Sequence, residues 1–383
     1  MPTLHILTPE YPPATGGVAD YTRLIARRLA QVGEEVHVWC PSRATAGTTP
    51  EGADAFEVHS DFGAFGAADL ARVGHLLDRF PSPRRVLVQW VPHGYGYRAM
   101  NVRFCCWLWQ RALGGDHVEL MVHEPYLAFW EGTWRQNAAA VVHRVMTMVL
   151  LQAARRVWVA IPAWEKKWKP YALGRAVPFT WLPISSGLPF AEPLAVRDVR
   201  LRIGASSQPL IGHLGTYGSP IAALLFDALA ELLRTLSAPH ILLMGTGSEQ
   251  FRMSFVERHP EYARRITAAG PLTDLALAAH VAACDLLIQP YPDGISSRRT
   301  TAMAGLHLGV PIVTTSGVLT EPFWEASNAV RLSSVGDWTT FVNHVDRLLR
   351  HPDERTRLAA SAKTFYDGMF AVERTVAALR TAA

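Results

Sequence analysis

Two hydrophobic periods take turns along the chain. LHILTP (4–9) is a short apolar run, and VADYTRLIARRLAQVG comes next with Val18, Tyr21, Leu24, Ile25, Leu29 and Val32 on one helical stripe closed by Gly33. EVHVWCP predicts a second strand, and further strands are predicted at 84–91, 118–124, 155–160 and 179–183. Strands alternating with helices in this way imply βαβ units around a buried parallel sheet. The rhythm stops at SSGLPFAEPLAVRDVR (185–200), where Pro189, Pro193 and a charged stretch interrupt any periodic face, and a linker is expected there. It resumes with strands predicted at 209–215, 240–247, 265–270, 285–291 and 311–316, separated by helical stretches such as IAALLFDALAELLRTL. The reading is two α/β sheets in tandem, which also suits 383 residues, more than one ordinary core absorbs. No short-period repeat or low-complexity tract points to a solenoid.

Composition narrows the class only a little. With 49% hydrophobic and 18% charged residues the chain can bury two cores and is not a disordered polymer. Met1 runs into a strand without a basic leader or cleavage site, no stretch is long enough to span a bilayer, and the site of action expected is the cytoplasm, with the inner membrane face as an extension of it. Cys40, Cys105, Cys106 and Cys284 lack zinc-type spacing and read as reduced thiols; no metal is expected. The net charge of +4 sits in residues 1–190, with 19 Lys+Arg against 15 Asp+Glu, whereas residues 191–383 hold 18 of each. Such an imbalance does not make a nucleic-acid protein, though it suits weak approach to anionic lipid.

Open parallel sheets bind ligands outside the carboxyl ends of their strands, which directs attention to the loop after each strand. After the first comes PEYPPATGGVADY, where Gly16 and Gly17 precede a helix. Two glycines let backbone approach a ligand, and exposed helix-start amides favour an anion. A tight loop with nothing bound explains them as well. After the strand at 118–124 come His123 and Glu124, either a satisfied core histidine with a carboxylate beside it or a catalytic edge.

The richest stretch is PYPDGISSRRTTAMAGLHLGVPIVTT (290–315). Asp293-Gly294 predicts a turn, Ser296 or Ser297 an N-cap, and a helix is expected from there to about Leu308, stopped by Gly309 and Pro311. Helix-start amides, hydroxyls and the guanidinium groups of Arg298 and Arg299 are the parts of a phosphate cradle. Asp293 beside them would repel phosphate but accept from sugar hydroxyls, and a phosphate attached to a sugar satisfies both.

On these residues the chain resembles the retaining nucleotide-sugar glycosyltransferases with the GT-B fold, glycosyltransferase family four, over nearly its whole length. PEYPPATGGVADYTRLIARRLAQVGEEVHVWCP is similar to the family's opening loop, glycine pair, helix and second strand. In the second half the family carries a Glu, seven residues and a second Glu before an AMA-x-G-x-P-V-V run; Asp293 falls on the first and Thr301 on the second, with Ala302, Met303, Ala304, Gly309 and Pro311 keeping the frame.

The resemblance implies two Rossmann-like doubly wound parallel-sheet domains facing across a cleft: an acceptor-side domain over 1–188, a donor-binding domain over 189–365, and a helix over 366–383 crossing back to the first. It implies catalytic positions at His123, facing the sugar, and Asp293, holding its hydroxyls. Gly16, Gly17, Gly215 and Thr216 would lie by the diphosphate, and Gly270, Pro271 and Leu272 by the base. The amides of Gly294, Ile295, Ser296 and Ser297 would bind phosphate, with Arg298 and Arg299 supplying charge and Thr301 at the ribose. Glu124, Tyr126 and His93 would lie on the acceptor side. The reaction implied moves a sugar from a nucleoside diphosphate to an acceptor hydroxyl with retained configuration, needing no metal and no cofactor beyond the donor as co-substrate.

Two departures stand out. Thr301 offers one short-reach oxygen where the family's Glu accepts from two hydroxyls, and His213, Leu214, Gly215, Thr216 and Tyr217 stand where the family usually offers an Arg and a Lys. Arg298 and Arg299 are expected to replace that missing charge. The acceptor is a saccharide or a lipid-linked one. YGYRAMNVRFCCWLWQRAL (95–113) reads first as a helix packed on the sheet and second as a membrane-facing stripe, while Trp130, Trp134, Trp164 and Trp168 serve packing or sugar stacking. A GT-B nucleotide-sugar epimerase and a non-catalytic GT-B-shaped scaffold subunit remain open alternatives.

Overall fold

The computed structural model describes residues 3–14, 16–41, 55–130 and 132–381. The chain divides into two compact units, Met1–Pro183 with Val372–Ala383, and Ile184–Ala371. The first holds strands β1 (Leu4–Leu7), β2 (Val36–Trp39), β3 (Glu57–His59), β4 (Arg85–Trp90), β5 (His117–Val122), β6 (Arg156–Val159) and β7 (Phe179–Trp181). They form one parallel sheet in the order β3-β2-β1-β4-β5-β6-β7. The second holds β8 (Leu210–Leu214), β9 (His240–Met244), β10 (Ile266–Ala268), β11 (Leu286–Gln289), β12 (Ile312–Ser316) and β13 (Arg331–Ser334). Its order, β10-β9-β8-β11-β12-β13, is likewise parallel throughout. In each sheet the order reverses once, between β1 and β4 and between β8 and β11, and such switch points are where ligands bind.

The apolar runs account for the central strands. All of β1, β4, β8, β9 and β11 are buried, as strands covered by helices on both faces must be. The helix Ser219–Thr235 turns Leu225, Ala228, Leu229, Leu232 and Leu233 onto β8, β9 and β11 through Ile211, Ile241, Leu243 and Ile288. Strands β3 and β13 were not expected from sequence; EVH and RLSS are short, half-polar edge strands with no apolar run to announce them.

Two boundaries differ from the sequence reading. The first unit ends at Pro183 rather than 188, because Ile184 already donates its amide to the Ser297 carbonyl at 3.0 Å. The second ends at Ala371 rather than 365, because the helix Pro352–Met369 runs through that position without a break. The next helix, Val372–Thr381, packs in the first unit, where Arg380 pairs with Glu34 at 2.8 Å. The expected linker contains a helix, Pro193–Ile203, started by Pro193 in its first turn and ended by Gly204 at φ 73° with Arg200 and Arg202 in the last turn.

Candidate functional site

In the first unit the polar groups gather at the carboxyl ends of β1, β4 and β5. Gln89, buried in β4, meets His123, the first residue past β5, with Nε2 2.7 Å from Gln89 Oε1. The Trp164 indole donates to the His123 carbonyl at 2.9 Å, and Tyr21 packs edge-on to the imidazole at 5.2 Å. Burial pulls the His123 pKa down to about 3, so the ring is neutral at physiological pH. With Nε2 donating to Gln89, Nδ1 is the nitrogen left for a ligand.

The glycine pair behaves differently from expectation. A Cβ on Gly16 would come within 2.2 Å of Glu10 Oε1, and the same oxygen accepts from the Ala19 amide at 3.1 Å. Glu10 therefore fills the anion position at the start of the helix Gly17–Gln31, and Gly16 is small to let that carboxylate in. Gly17 has nothing near its missing Cβ. Of the acceptor-side residues, His93 Nδ1 lies 3.5 Å from Glu124 Oε2, both exposed. Tyr126 donates to the Lys167 carbonyl, and Arg144 stacks over it at 4.4 Å and over Phe129 at 3.7 Å. Trp164 and Trp168 are core, whereas Trp130 and Trp134 are exposed. In the 95–113 stretch, Phe104, Cys105 and Leu108 are buried and Arg111 pairs with Asp78 and Asp116, which is the packing reading. A shallow groove of about 460 Å³ opens beyond β2 and β4, lined by Pro41, Gly63, Phe65, Gly96 and Tyr97 among others.

In the second unit the loops after β8, β10 and β11 carry the expected residues. Most of the amides expected on phosphate are engaged within the protein. Gly294 donates to the Tyr291 carbonyl at 3.1 Å, Ile295 to Thr315 at 2.8 Å, and Ser297 to Glu321 Oε1 at 3.0 Å. Three of the four amides expected on phosphate thus have protein acceptors. The Ser297 hydroxyl also donates to Glu321, so it does not cap a helix, and the helix starts at Thr300 instead. Gly294 is required by its fold: it sits at φ 83°, and a Cβ would meet the Gly317 amide at 2.2 Å. Glu321 also accepts from the Trp324 indole at 2.8 Å, and burial pushes its carboxyl above the usual range.

Arg298 and Arg299 do not point apart into solvent. Both guanidinium groups close on Asp293, Arg298 at 2.5 Å on Oδ2 and Arg299 on Oδ1. Arg299 lies over the Tyr291 ring at 4.5 Å, its Nε is buried without a hydrogen bond, and burial lowers its pKa. The Tyr291 hydroxyl meets Thr301 Oγ1 at 2.7 Å, so the threonine at the expected ribose position is held by a phenol. Gly215 and Gly270 have their amides on the Met244 carbonyl and Ser248 Oγ, both at 3.1 Å; Thr216 and Pro271 are exposed and Leu272 half-buried. At the switch point, His213 is buried, bonds the Ile288 carbonyl through Nδ1 and has its pKa drawn down to about 4.

Sequence reasoning missed Glu10, Gln89, Tyr291 and Glu321. A visible signal existed for one of them, a Gln inside the otherwise apolar VLVQW.

No family model and no curated protein matches the chain. Solved structures do. Sucrose-phosphate synthase from Thermosynechococcus elongatus superposes with a TM-score of 0.75 at 15% identity, over 99% of this chain and 98% of that one. HepE from Anabaena, in complex with UDP, gives 0.70 at 17%, over 99% of each. An α,α-trehalose-phosphate synthase (UDP-forming) from Burkholderia xenovorans, in complex with glucose-6-phosphate, gives 0.71 at 13%, again over 99% of each. With two parallel-sheet units matched along their full length, this chain has the GT-B fold of those glycosyltransferases.

Proposed function

We propose that the protein is a retaining glycosyltransferase that moves a sugar from a nucleoside diphosphate to a hydroxyl of a saccharide or lipid-linked acceptor, in polysaccharide or glycolipid synthesis. The observation that carries this reading is the pair of arginines on Asp293 at the carboxyl end of β11. Two guanidinium charges close on a single carboxylate, so one positive charge is left over to attract a second anion. A diphosphate is the anion that the fold's relatives offer: HepE was solved with UDP and with UDP and glucose. Developing charge on the leaving diphosphate is stabilised by such preorganised donors, and no divalent cation is then needed for the transfer.

Asp293 has two roles in this reading. It holds the arginines in place and presents its remaining lone pairs to sugar hydroxyls. Thr301, tied to Tyr291, leaves the ribose held less firmly than a carboxylate would hold it. On the first unit, neutral His123 is a hydrogen-bonding group for sugar or acceptor hydroxyls, and the groove beyond β2 and β4 is assigned to the acceptor. No helix among the described residues is long and apolar enough to cross a membrane, so a lipid-linked acceptor would be met from the surface.

The test is a thermal-shift screen across UDP-, GDP-, ADP- and dTDP-sugars, then transfer assays with the stabilising donor. A bound ligand raises the melting temperature by mass action. Retention is read from the anomeric configuration of the product by NMR, and independence of metal from a rate unchanged on adding Mg²⁺. If no nucleotide sugar shifts the melting curve, the proposal fails. Binding without turnover would favour the scaffold reading, which the protein acceptors on Gly294, Ile295 and Ser297 also suit.

A further inference from the structure

The edge of the first unit's sheet carries a second constellation that glycosyl transfer does not use. In register, His37 of β2 faces Glu57 of β3, and Trp39 faces His59, so alternation puts all four side chains on one face. Their atoms converge: His37 Nδ1 lies 3.0 Å from His59 Nε2 and 3.4 Å from Glu57 Oε2, and His59 Nε2 lies 3.6 Å from the same carboxylate oxygen. Ligands at 2.0–2.2 Å on a tetrahedral Zn²⁺ stand about 3.3–3.5 Å apart. The three observed separations bracket that edge length.

The groups around the trio orient it. His37 Nε2 lies 3.3 Å from Glu35 Oε1, and Glu35 Oε2 in turn accepts from Thr3 Oγ1 at 3.1 Å. A carboxylate on the far nitrogen fixes the proton there and leaves Nδ1 as the lone-pair donor, which is the arrangement metal-bound histidines use. The His59 ring is held flat against Trp39 at 4.0 Å and 13°, and the Trp39 indole is itself anchored to His5 Nδ1 at 3.2 Å. With that tautomer, at most one proton, on His59, serves the three converging lone pairs; a cation serves all three.

We infer that His37, His59 and Glu57 bind a divalent transition metal, Zn²⁺ by the chemistry of two imidazoles and a carboxylate, which ties the edge strand β3 to β2. The Glu57 side chain is 71% exposed, so the fourth position opens to water. Local spacing does not announce this site, because His37 stands on β2 and Glu57 and His59 on β3, some twenty residues further along the chain.

The experiment uses untagged, chelator-stripped full-length protein, with Zn²⁺ binding followed by calorimetry and metal content, and Co²⁺ substitution followed by visible absorption. One equivalent of Zn²⁺ per chain is expected, with intense tetrahedral Co²⁺ bands. Binding is lost in His59→Ala and Glu57→Ala, whose positions are accessible enough to keep the fold, as circular dichroism would check. Glu35→Gln weakens it about 10–100-fold. Absence of Zn²⁺ binding by the wild-type protein, or equal binding by His59→Ala and Glu57→Ala, overturns the inference. The readout is independent of sugar transfer, so neither result bears on the proposed activity.

Discussion

The two sheets repeat one design and give it opposite charge chemistry. Each has a buried Gln on the strand beside its reversal of order: Gln89 in β4 holds His123, and Gln289 in β11 donates to the Leu214 carbonyl at 3.2 Å. Each also places a carboxylate on backbone amides where an outside anion was expected, Glu10 on Ala19 and Glu321 on Ser297. The difference is in the cations. No arginine or lysine pairs with Glu10 among the described ion pairs, whereas the loop after β11 sets two arginines on one aspartate. A glycine loop ahead of a helix marks where an anion can sit; the side chains decide whether the protein has already put its own there.

The largest expected effect tests that asymmetry directly. Arg298→Ala with Arg299→Ala should lower kcat/KM for the donor by about 10²–10³-fold, the loss usual for preorganised donors on developing negative charge. Steady-state kinetics with the donor found by thermal shift would show it. An unchanged kcat/KM would mean that the arginines serve only to hold Asp293.

Acid sharpens the comparison between units. In the first unit, His5 and His123 both have pKa values lowered by burial to about 3, and in the second His213 is lowered to about 4. Between these values and the ordinary histidine pKa of about 6.5 the unfolded chain binds protons that the native one refuses, so stability falls as pH drops through that window. Each such histidine contributes a slope of up to ~1.4 kcal/mol per pH unit. With five histidines lowered by burial against three in the second, the first unit should lose protection faster on going from neutral pH to about pH 5, as hydrogen exchange of the two sheets would measure. His123→Gln should reduce the difference. Equal slopes in the two units would contradict these burial-driven shifts.

Legibility in the sequence tracks physical range. Apolar runs and helical stripes are local, so the central strands and the helix Gly17–Gln31 were readable to within about three residues, the largest miss being the end of β9 at Met244 rather than 247. The pairs that shape the site are not local. Ser297 and Glu321, and Gln89 and His123, are brought together only by strands lying side by side, and nothing in the neighbourhood of Ser297 says that its amide is taken. The helix start was misplaced for that reason: a Ser before an apolar run is a good cap until another carboxylate binds it. The arginines were legible as residues, but that both would close on Asp293 was not.

Removing Glu321 should act only on the second unit. Glu321→Ala leaves the Ser297 amide and the Trp324 indole without their acceptor in a buried place, which costs about 1–3 kcal/mol. Denaturant unfolding followed by hydrogen exchange should show that loss in β11 and β12 while β1 and β4 are unaffected. Loss of protection in both units together would mean that they unfold as one.

The smallest effect is the most discriminating. Glu10→Gln removes the charge that sits on the helix start at Ala19, at about 0.3–1 kcal/mol, and keeps an oxygen able to accept from that amide. If the carboxylate blocks an anion that would otherwise bind there, the variant should take up inorganic phosphate or diphosphate more tightly than wild type, despite being slightly less stable. Calorimetric titration with diphosphate in the Arg298→Ala, Arg299→Ala background isolates this helix start from the arginine loop. A gain in affinity shows that Glu10 excludes anions from the first unit and leaves the second to hold them. No gain shows that the helix start was closed by the backbone around Gly16 rather than by charge, and the contrast between the two sheets then rests on the arginines alone.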